Sequence, residues 1–303
     1  MTLIQTLKTD IQQVEAKMLK LIDKQTLERE VSFAMQAISS SSQLQKCTRE
    51  SLQKAVYNIA LTGLSLNPIT KLAYLVPRYS NGENIAVLDP SYQGLVKLLT
   101  DTGVVAAIEA RIVNDGDDFE VNYGTTAEVI HKPKFKTRNP HLVYAVATMP
   151  GSGLKQFEVM SIDEVNDIRD KSESYKAFNA GKIKSCIWVD HYNEMAKKTV
   201  IKRLYKYLPK SGQFEKVATA IDLSNSDYQI TDNQADYLVT LIEKASYDDD
   251  TKQLLINRIY QGISSDEYEQ MKKEAMMNKL DPITSGMPYG QKEITEHLNK
   301  LAG

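Results

Sequence analysis

Apolar positions at the start of the chain recur every three or four residues. Leu3, Leu7, Ile11, Val14, Met18, Leu21 and Ile22 keep that rhythm with Gln and Lys between them, and no proline or glycine interrupts it. The pattern predicts an amphipathic helix over residues 1–33, whose apolar stripe must be covered either by the chain's own core or by a neighbouring subunit. Ser39-Ser-Ser-Ser42 marks a break. A second helix follows from Leu44 to Leu61, with Leu52, Ala55, Val56, Ile59 and Ala60 inward, and it stops at Gly63.

Beyond Gly63 the period changes. Leu64-Ser-Leu-Asn-Pro68 is rich in turn formers, and the runs Lys71–Tyr79 and Asn84–Leu88 then alternate as two strands. The Asn81-Gly82 pair between them is a strong hairpin signal, and Pro77 places the first strand at an edge. A short helix, Ser91–Thr100, ends at Gly103. Strand-like runs resume at Val104–Val113, Asp118–Tyr123, Ala127–His131, His141–Met149 and Leu154–Met160, punctuated by Asn114-Asp-Gly116 and Pro150-Gly-Ser-Gly153. With no strand–helix alternation, this order predicts an antiparallel β-meander.

Ser161-Ile-Asp-Glu164 reads as a capping box opening a helix, and helices continue to Pro209. After residue 222 strand signals vanish. Thr231–Gln234 and Ser264–Glu267 are further capping boxes, opening Ala235–Ala245 and Glu267–Asn278, with Thr251–Tyr260 between. Residues 222–228 read as a polar linker and Asp281–Gly290 as a loop. The fold class is therefore α+β, an antiparallel meander with flanking helices plus a small C-terminal helical domain. Three segments follow: an N-terminal helical segment, 1–40, for packing or oligomerisation; a core, 41–222; and an acidic helical domain, 223–303.

Charge sharpens this division. Residues 1–221 hold 29 Lys/Arg and 24 Asp/Glu, whereas 222–303 hold 8 and 15, so a net charge of −2 conceals a basic part and an acidic one. The acidic part either recruits a basic partner or tunes non-specific binding, or is a plain helical domain. No apolar run approaches the roughly 20 residues that span a bilayer, and the first residues lack a signal-peptide core. Cys47 and Cys186, outside any CxxC pair, indicate no disulfide framework and a reducing, cytoplasmic setting.

The residues offer little for catalysis. His131, His141, His191 and His297 have no metal-ligand spacing. Ala180-Gly-Lys182 lacks the earlier glycine of a phosphate loop, where Lys176 stands, and Ile183 occupies the place of its Ser/Thr. Asp115-Gly-Asp-Asp118 reads as a polar turn rather than a cation loop, since the distal Glu of an EF-hand is missing.

Basic residues interleaved with aromatics stand out instead. The helix from His191 to Pro209 sets Val200, Ile201, Leu204, Tyr207 and Leu208 on one side and Lys198, Lys202, Arg203, Lys206 and Lys210 on the other. Like charges one turn apart weaken a helix, and a polyphosphate backbone would relieve them. Arg78 and Tyr79 fall at the first hairpin's tip, Tyr92 and Lys97 on the next helix, and Lys132, Lys134, Phe135, Lys136 and Arg138 in one loop. Lys182 and Lys184 precede Trp188. Cations neutralise phosphates and aromatic faces stack unpaired bases, so a groove built from these residues would suit a single strand better than a duplex. The competing reading for each aromatic is core packing, and it weighs most on Trp188 and Tyr92.

Several short motifs in order resemble the RecT single-strand annealing proteins of phages and prophages, distant relatives of lambda Red-beta. They are Gly63-Leu-Ser-Leu-Asn-Pro68, Ala73-Tyr-Leu-Val-Pro77, Ser91-Tyr-Gln-Gly-Leu95, Asp117-Asp-Phe119, Ile130-His-Lys-Pro133, Glu158-Val-Met-Ser161, and Trp188 with Glu194–Leu204 and Lys206–Pro209. The resemblance covers about residues 60–211. It implies a recombinase that needs no ATP, with a magnesium requirement left open, and that coats single-stranded DNA, anneals it and holds the nascent duplex as a homo-oligomeric ring or filament. It also implies a cytoplasmic protein of a bacterial cell, and a C-terminal domain that engages a phage exonuclease or host single-stranded DNA-binding protein. Two other readings compete: a metal-dependent nuclease using Asp115, Asp117 and Asp118, and a passive nucleic-acid-coating protein.

Overall fold

The computed structural model describes residues 3–80, 82–124, 127–210, 214–225, 232–260, 263 and 265–277. The chain divides into two compact units, residues 1–228 and 229–303. Among the described residues no helix is long and apolar enough to cross a membrane.

The first unit opens with two helices where the apolar rhythm predicts one, α1 (Leu3–Met18) and α2 (Lys24–Ser40). Asp23 makes the break: its side chain accepts the Thr26 backbone N–H and starts α2. Leu21 and Ile22 keep the apolar spacing through the turn that leads up to this cap, which is why periodicity overlooks it. Leu7, Ile11 and Met18 of α1 are buried in this chain's own core, and Arg49 of α3 (Arg49–Thr62) holds Asp10 at 2.7 Å. Gly63 closes α3 in the left-handed region, as a C-terminal glycine does. Behind it, the buried Glu30 carboxylate accepts the Ser65 hydroxyl at 2.7 Å and the Leu66 N–H at 2.9 Å, which fixes the turn 63–68.

Strands β1 (Ala73–Ser80) and β2 (Glu83–Pro90) form a hairpin with Ser80 opposite Glu83. Gly82 is left-handed, and Asn81 lies outside the described residues. Helix α4 (Tyr92–Asp101) follows. At Gly94 any Cβ would run into the Leu72 carbonyl oxygen, so only glycine lets the helix lie this close to the preceding turn.

The remaining strands are antiparallel but do not make the single meander their order suggests. β3 (Ala107–Asn114), β6 (Pro140–Thr148) and β7 (Lys155–Ser161) form one sheet in the order β3-β6-β7, while β4 (Asp118–Asn122) and β5 (Glu128–Lys132) form a separate hairpin. The register shifts between Val113 and Asn114, and the chain leaves the sheet at the following turn. The hairpin carries Phe119 and His131 against Tyr144, with ring centroids 5.5 and 5.6 Å away.

One face of the three-stranded sheet is core: Val143, Ala145 and Ala147 are fully buried with Ala196, Val200, Ile201 and Leu204 of α8 (Tyr192–Tyr205). Ser161 and Glu164 form the predicted capping box at the start of α5 (Ile162–Lys171). The short helices α6 (Glu173–Asn179) and α7 (Ile187–Asp190) lead into α8, and α9 (Glu215–Asn225) closes the unit. α9 takes up Asp222–Asn225, the start of the expected linker, because Val217, Ala220 and Ser224 face inward at helical spacing.

The second unit has its own core. Helices α10 (Asp232–Glu243), α11 (Asp249–Tyr260) and α12 (Ser265–Met277) pack through Leu238, Ile242, Leu255, Ile259, Met271 and Ala275. The expected cap residues Thr231 and Ser264 and the loop at 281–290 lie outside the described residues.

Candidate nucleic-acid interface

The loop after β5 is the most fully built feature among the sequence-selected residues. Its supports are the three aspartates of the turn at 114–118. Asp117 accepts the Lys134 N–H at 2.7 Å and the Asn114 N–H at 2.9 Å. Its Oδ2 also lies 3.2 Å from His131 Nε2, and His131 Nδ1 lies 3.3 Å from the Tyr144 hydroxyl. With Asp117 ionised, Nε2 donates, so in the neutral ring Nδ1 accepts from Tyr144. The two backbone N–H groups, foremost that of Lys134, hold the Asp117 carboxyl down at about 2. Burial pushes the Tyr144 hydroxyl up. On the far side, Thr137 donates to the Asp115 carbonyl at 2.8 Å, the Asn139 amide donates to the Asp115 carboxylate, and the Asp115 N–H donates to Asn139 O at 2.9 Å. Lys134 Nζ sits 2.6 Å from Asp118.

These contacts use the acidic triplet as a brace for the loop, so the nuclease reading finds no support in its placement. Among the described residues no three His, Cys, Asp or Glu side chains gather as a metal site. The braced loop exposes Lys132, Lys134, Phe135, Lys136 and Arg138. Among the described residues, Lys132, Lys136 and Arg138 have no ion-pair partner.

The basic stripe expected along α8 is not continuous. Lys198 is buried, and its ammonium lies 2.7 Å from Asp89 of β2. Lys202 Nζ lies 3.5 Å from the Ser224 hydroxyl on α9. Arg203 is shared by Glu158 at 3.0 Å and Glu164 at 2.6 Å. Lys206 alone of the four is exposed. The carboxylate partners lie 39 to 109 residues away in sequence, beyond the reach of a helical wheel. Tyr207, placed inward by the wheel, is 58% exposed. The helix ends in i→i+3 bonds, Tyr207 N–H to Leu204 O and Leu208 N–H to Tyr205 O, which turn it outward.

Trp188 belongs to the core at 1% exposure, next to Tyr192, and offers no ring face to a ligand. Tyr92 is half-buried, with Lys197 Nζ 5.1 Å above its ring. Lys97 pairs with Asp101 along α4. Arg78 is half-buried, whereas Tyr79, Lys182 and Lys184 are exposed.

Two cations escaped sequence reading. Lys197 is set over Tyr92 and 2.9 Å from Glu194. Arg111 stands on the outer face of β3, directly across from Tyr144 and 2.6 Å from Glu109. Arg111 was available from period-two alternation, since Ile108, Ala110 and Ile112 take the other face.

Together these features define an α+β protein with antiparallel sheets that presents a braced loop of cations around one aromatic ring. The RecT family model matches residues 28–235. Protein RecT of Escherichia coli (strain K12) is 33% identical over 225 residues, covering 69% of this chain and 80% of that protein. The chain belongs to the RecT family, whose members are annealing proteins of DNA recombination rather than enzymes.

Proposed function

We propose that this protein binds single-stranded DNA and anneals it to a complementary strand without ATP, working as a homo-oligomeric ring or filament. The observation that carries the reading is the loop 132–138, where Lys132, Lys136 and Arg138 stand exposed on a backbone braced by Asp115 and Asp117. Cations held on a rigid loop grip phosphates without reading bases, which leaves pairing edges free and sequence specificity to the complementary strand. Tyr79, Lys182, Lys184 and Lys206 are exposed and extend the same chemistry. Lys198 and Arg203 act by positioning α8 rather than by touching phosphate. The acidic second unit would serve a protein partner, an exonuclease or a single-stranded DNA-binding protein.

The test is annealing of a fluorophore–quencher oligonucleotide pair without ATP, for wild type and for Lys132→Ala/Lys136→Ala/Arg138→Ala, across salt. Wild type should accelerate annealing. The triple variant should lose it, and its log–log salt slope for single-strand binding should fall by about 0.7 per lost phosphate contact. Wild-type binding without annealing would leave a passive coating protein.

A further inference from the structure

Charge neutralisation explains the cations of the loop but not the residue between them. Phe135 has φ 55°, a left-handed backbone that bulky side chains rarely adopt, and is 87% exposed. Such a conformation costs on the order of 1–3 kcal/mol and persists only where the surroundings impose it. Here they do so from both sides. Lys134 N–H is tied to Asp117 at 2.7 Å on one flank, and Thr137 and Asn139 are tied to Asp115 on the other. Glycine or asparagine would fill the position with less strain. A phenyl ring placed here gains nothing from this chain's own core, so its use lies outside the chain.

We infer that Phe135 is a base-stacking wedge: its ring packs against an unpaired nucleobase while Lys132, Lys136 and Arg138 hold the flanking phosphates. This rests on the single-strand reading above and adds a contact to the base itself. Nucleic acid fits better than an apolar pocket on a partner protein. A protein pocket would have to accept the ring with three unpaired cations at its rim, whereas a single strand supplies a π face and phosphates together. The interaction also suits annealing. Stacking uses the face of a base and leaves its Watson–Crick edge open, so the strand can be gripped and still pair. Tyr79 and Tyr207 are exposed too, but neither combines a strained backbone with a surrounding set of cations.

The test uses the full-length protein with two oligonucleotides of equal length, one normal and one abasic throughout, and reads affinity by anisotropy. Phe135→Ala should weaken binding of the normal strand by about 5- to 150-fold, the equivalent of the 1–3 kcal/mol a stacked base contributes. It should leave the abasic affinity and the salt slope unchanged. Phe135→Trp should restore affinity and show indole quenching on binding the normal strand only. Because Phe135 touches no core residue, circular dichroism should show both variants folded. Equal loss of affinity for both strands would overturn the wedge, as would wild-type affinity of Phe135→Ala for the normal strand. Intact DNA binding with lost self-association by light scattering would make the ring a subunit contact and also overturn it. If wild type bound neither strand, the single-strand reading would fail and the wedge with it.

Discussion

Lys198 and Asp89 form a buried ion pair, 2.7 Å apart with side chains 7% and 9% exposed, that ties α8 to the end of the first hairpin. Its strength lies in pairing: two charges taken from water compensate each other, and one left alone does not. Lys198→Met should therefore destabilise the first unit by about 3–5 kcal/mol. Lys198→Met/Asp89→Leu should recover much of that loss. Urea unfolding of the three proteins measures both. A stable single variant with a reduced DNA salt slope would instead return Lys198 to the phosphate-binding set.

Asp117 gives the loop a defined acid limit. Its carboxyl sits at about 2 because backbone N–H groups of Lys134 and Asn114 favour the charged form. A folded value below the unfolded one, about 3.9, means that the stabilising effect is complete above pH 4. It is lost as pH falls from about 4 to 2. Protection of the Lys134 amide, relative to its intrinsic exchange rate at each pH, should hold down to pH 4 and fall below it. In Asp117→Asn the amide should be less protected than in wild type above pH 4, with the difference closing as pH falls to about 2.

How far the sequence reveals this arrangement depends on the range of the forces involved. The hairpin of β1 and β2, the stop at Gly63 and the box at Ser161 and Glu164 are local, and spacing with turn chemistry finds them. The cap at Asp23 is local too, but an uninterrupted apolar stripe hides it. The loop at 132–138 is legible as cations around Phe135, yet nothing in the order of residues shows that Asp115 and Asp117 brace it. The α8 stripe fails for the same reason: Asp89 and Glu158 neutralise Lys198 and Arg203 from strands that only the tertiary fold brings near. The meander fails because pairing of β3 with β6 skips a hairpin, a choice made by packing of Phe119 and His131 on Tyr144.

Gly94 is fixed by contact rather than by backbone angle. A methyl there would meet the Leu72 carbonyl oxygen, a backbone atom that cannot swing aside, with the Leu64 side chain also close. Gly94→Ala gains intrinsic helix propensity of about 1 kcal/mol, but overpacking should outweigh it and lower stability by about 1–3 kcal/mol net. Thermal unfolding should show a clear fall in Tm. A rise would mean that α4 can shift away from the turn at 72 freely.

Arg203 serves two carboxylates at once, and its replacement should show both in one pH profile. It lies 3.0 Å from Glu158 of β7 and 2.6 Å from Glu164, which also accepts the Ser161 N–H at 2.9 Å. Burial pushes the Glu158 carboxyl up, and Arg203 opposes that shift; hydrogen bonding to Arg203 pulls Glu164 down. A planar guanidinium presents separate N–H edges to the two acids, whereas an ammonium is a point charge on a differently shaped stem, so Arg203→Lys should keep the charge and lose only part of what Arg203→Met loses. With Arg203 38% exposed, the loss at neutral pH should be about 1–2 kcal/mol. In Arg203→Met, Glu158 is costly only while ionised, and Glu164 loses a partner that mattered only while ionised. Both effects fade on protonation, so the stability gap to wild type should narrow as pH falls through the ordinary glutamate range. Urea midpoints from pH 7 down to pH 3 would show this. Single-strand salt slopes should match wild type throughout, and a slope reduced by about 0.7 would show instead that Arg203 leaves its carboxylates to hold a phosphate.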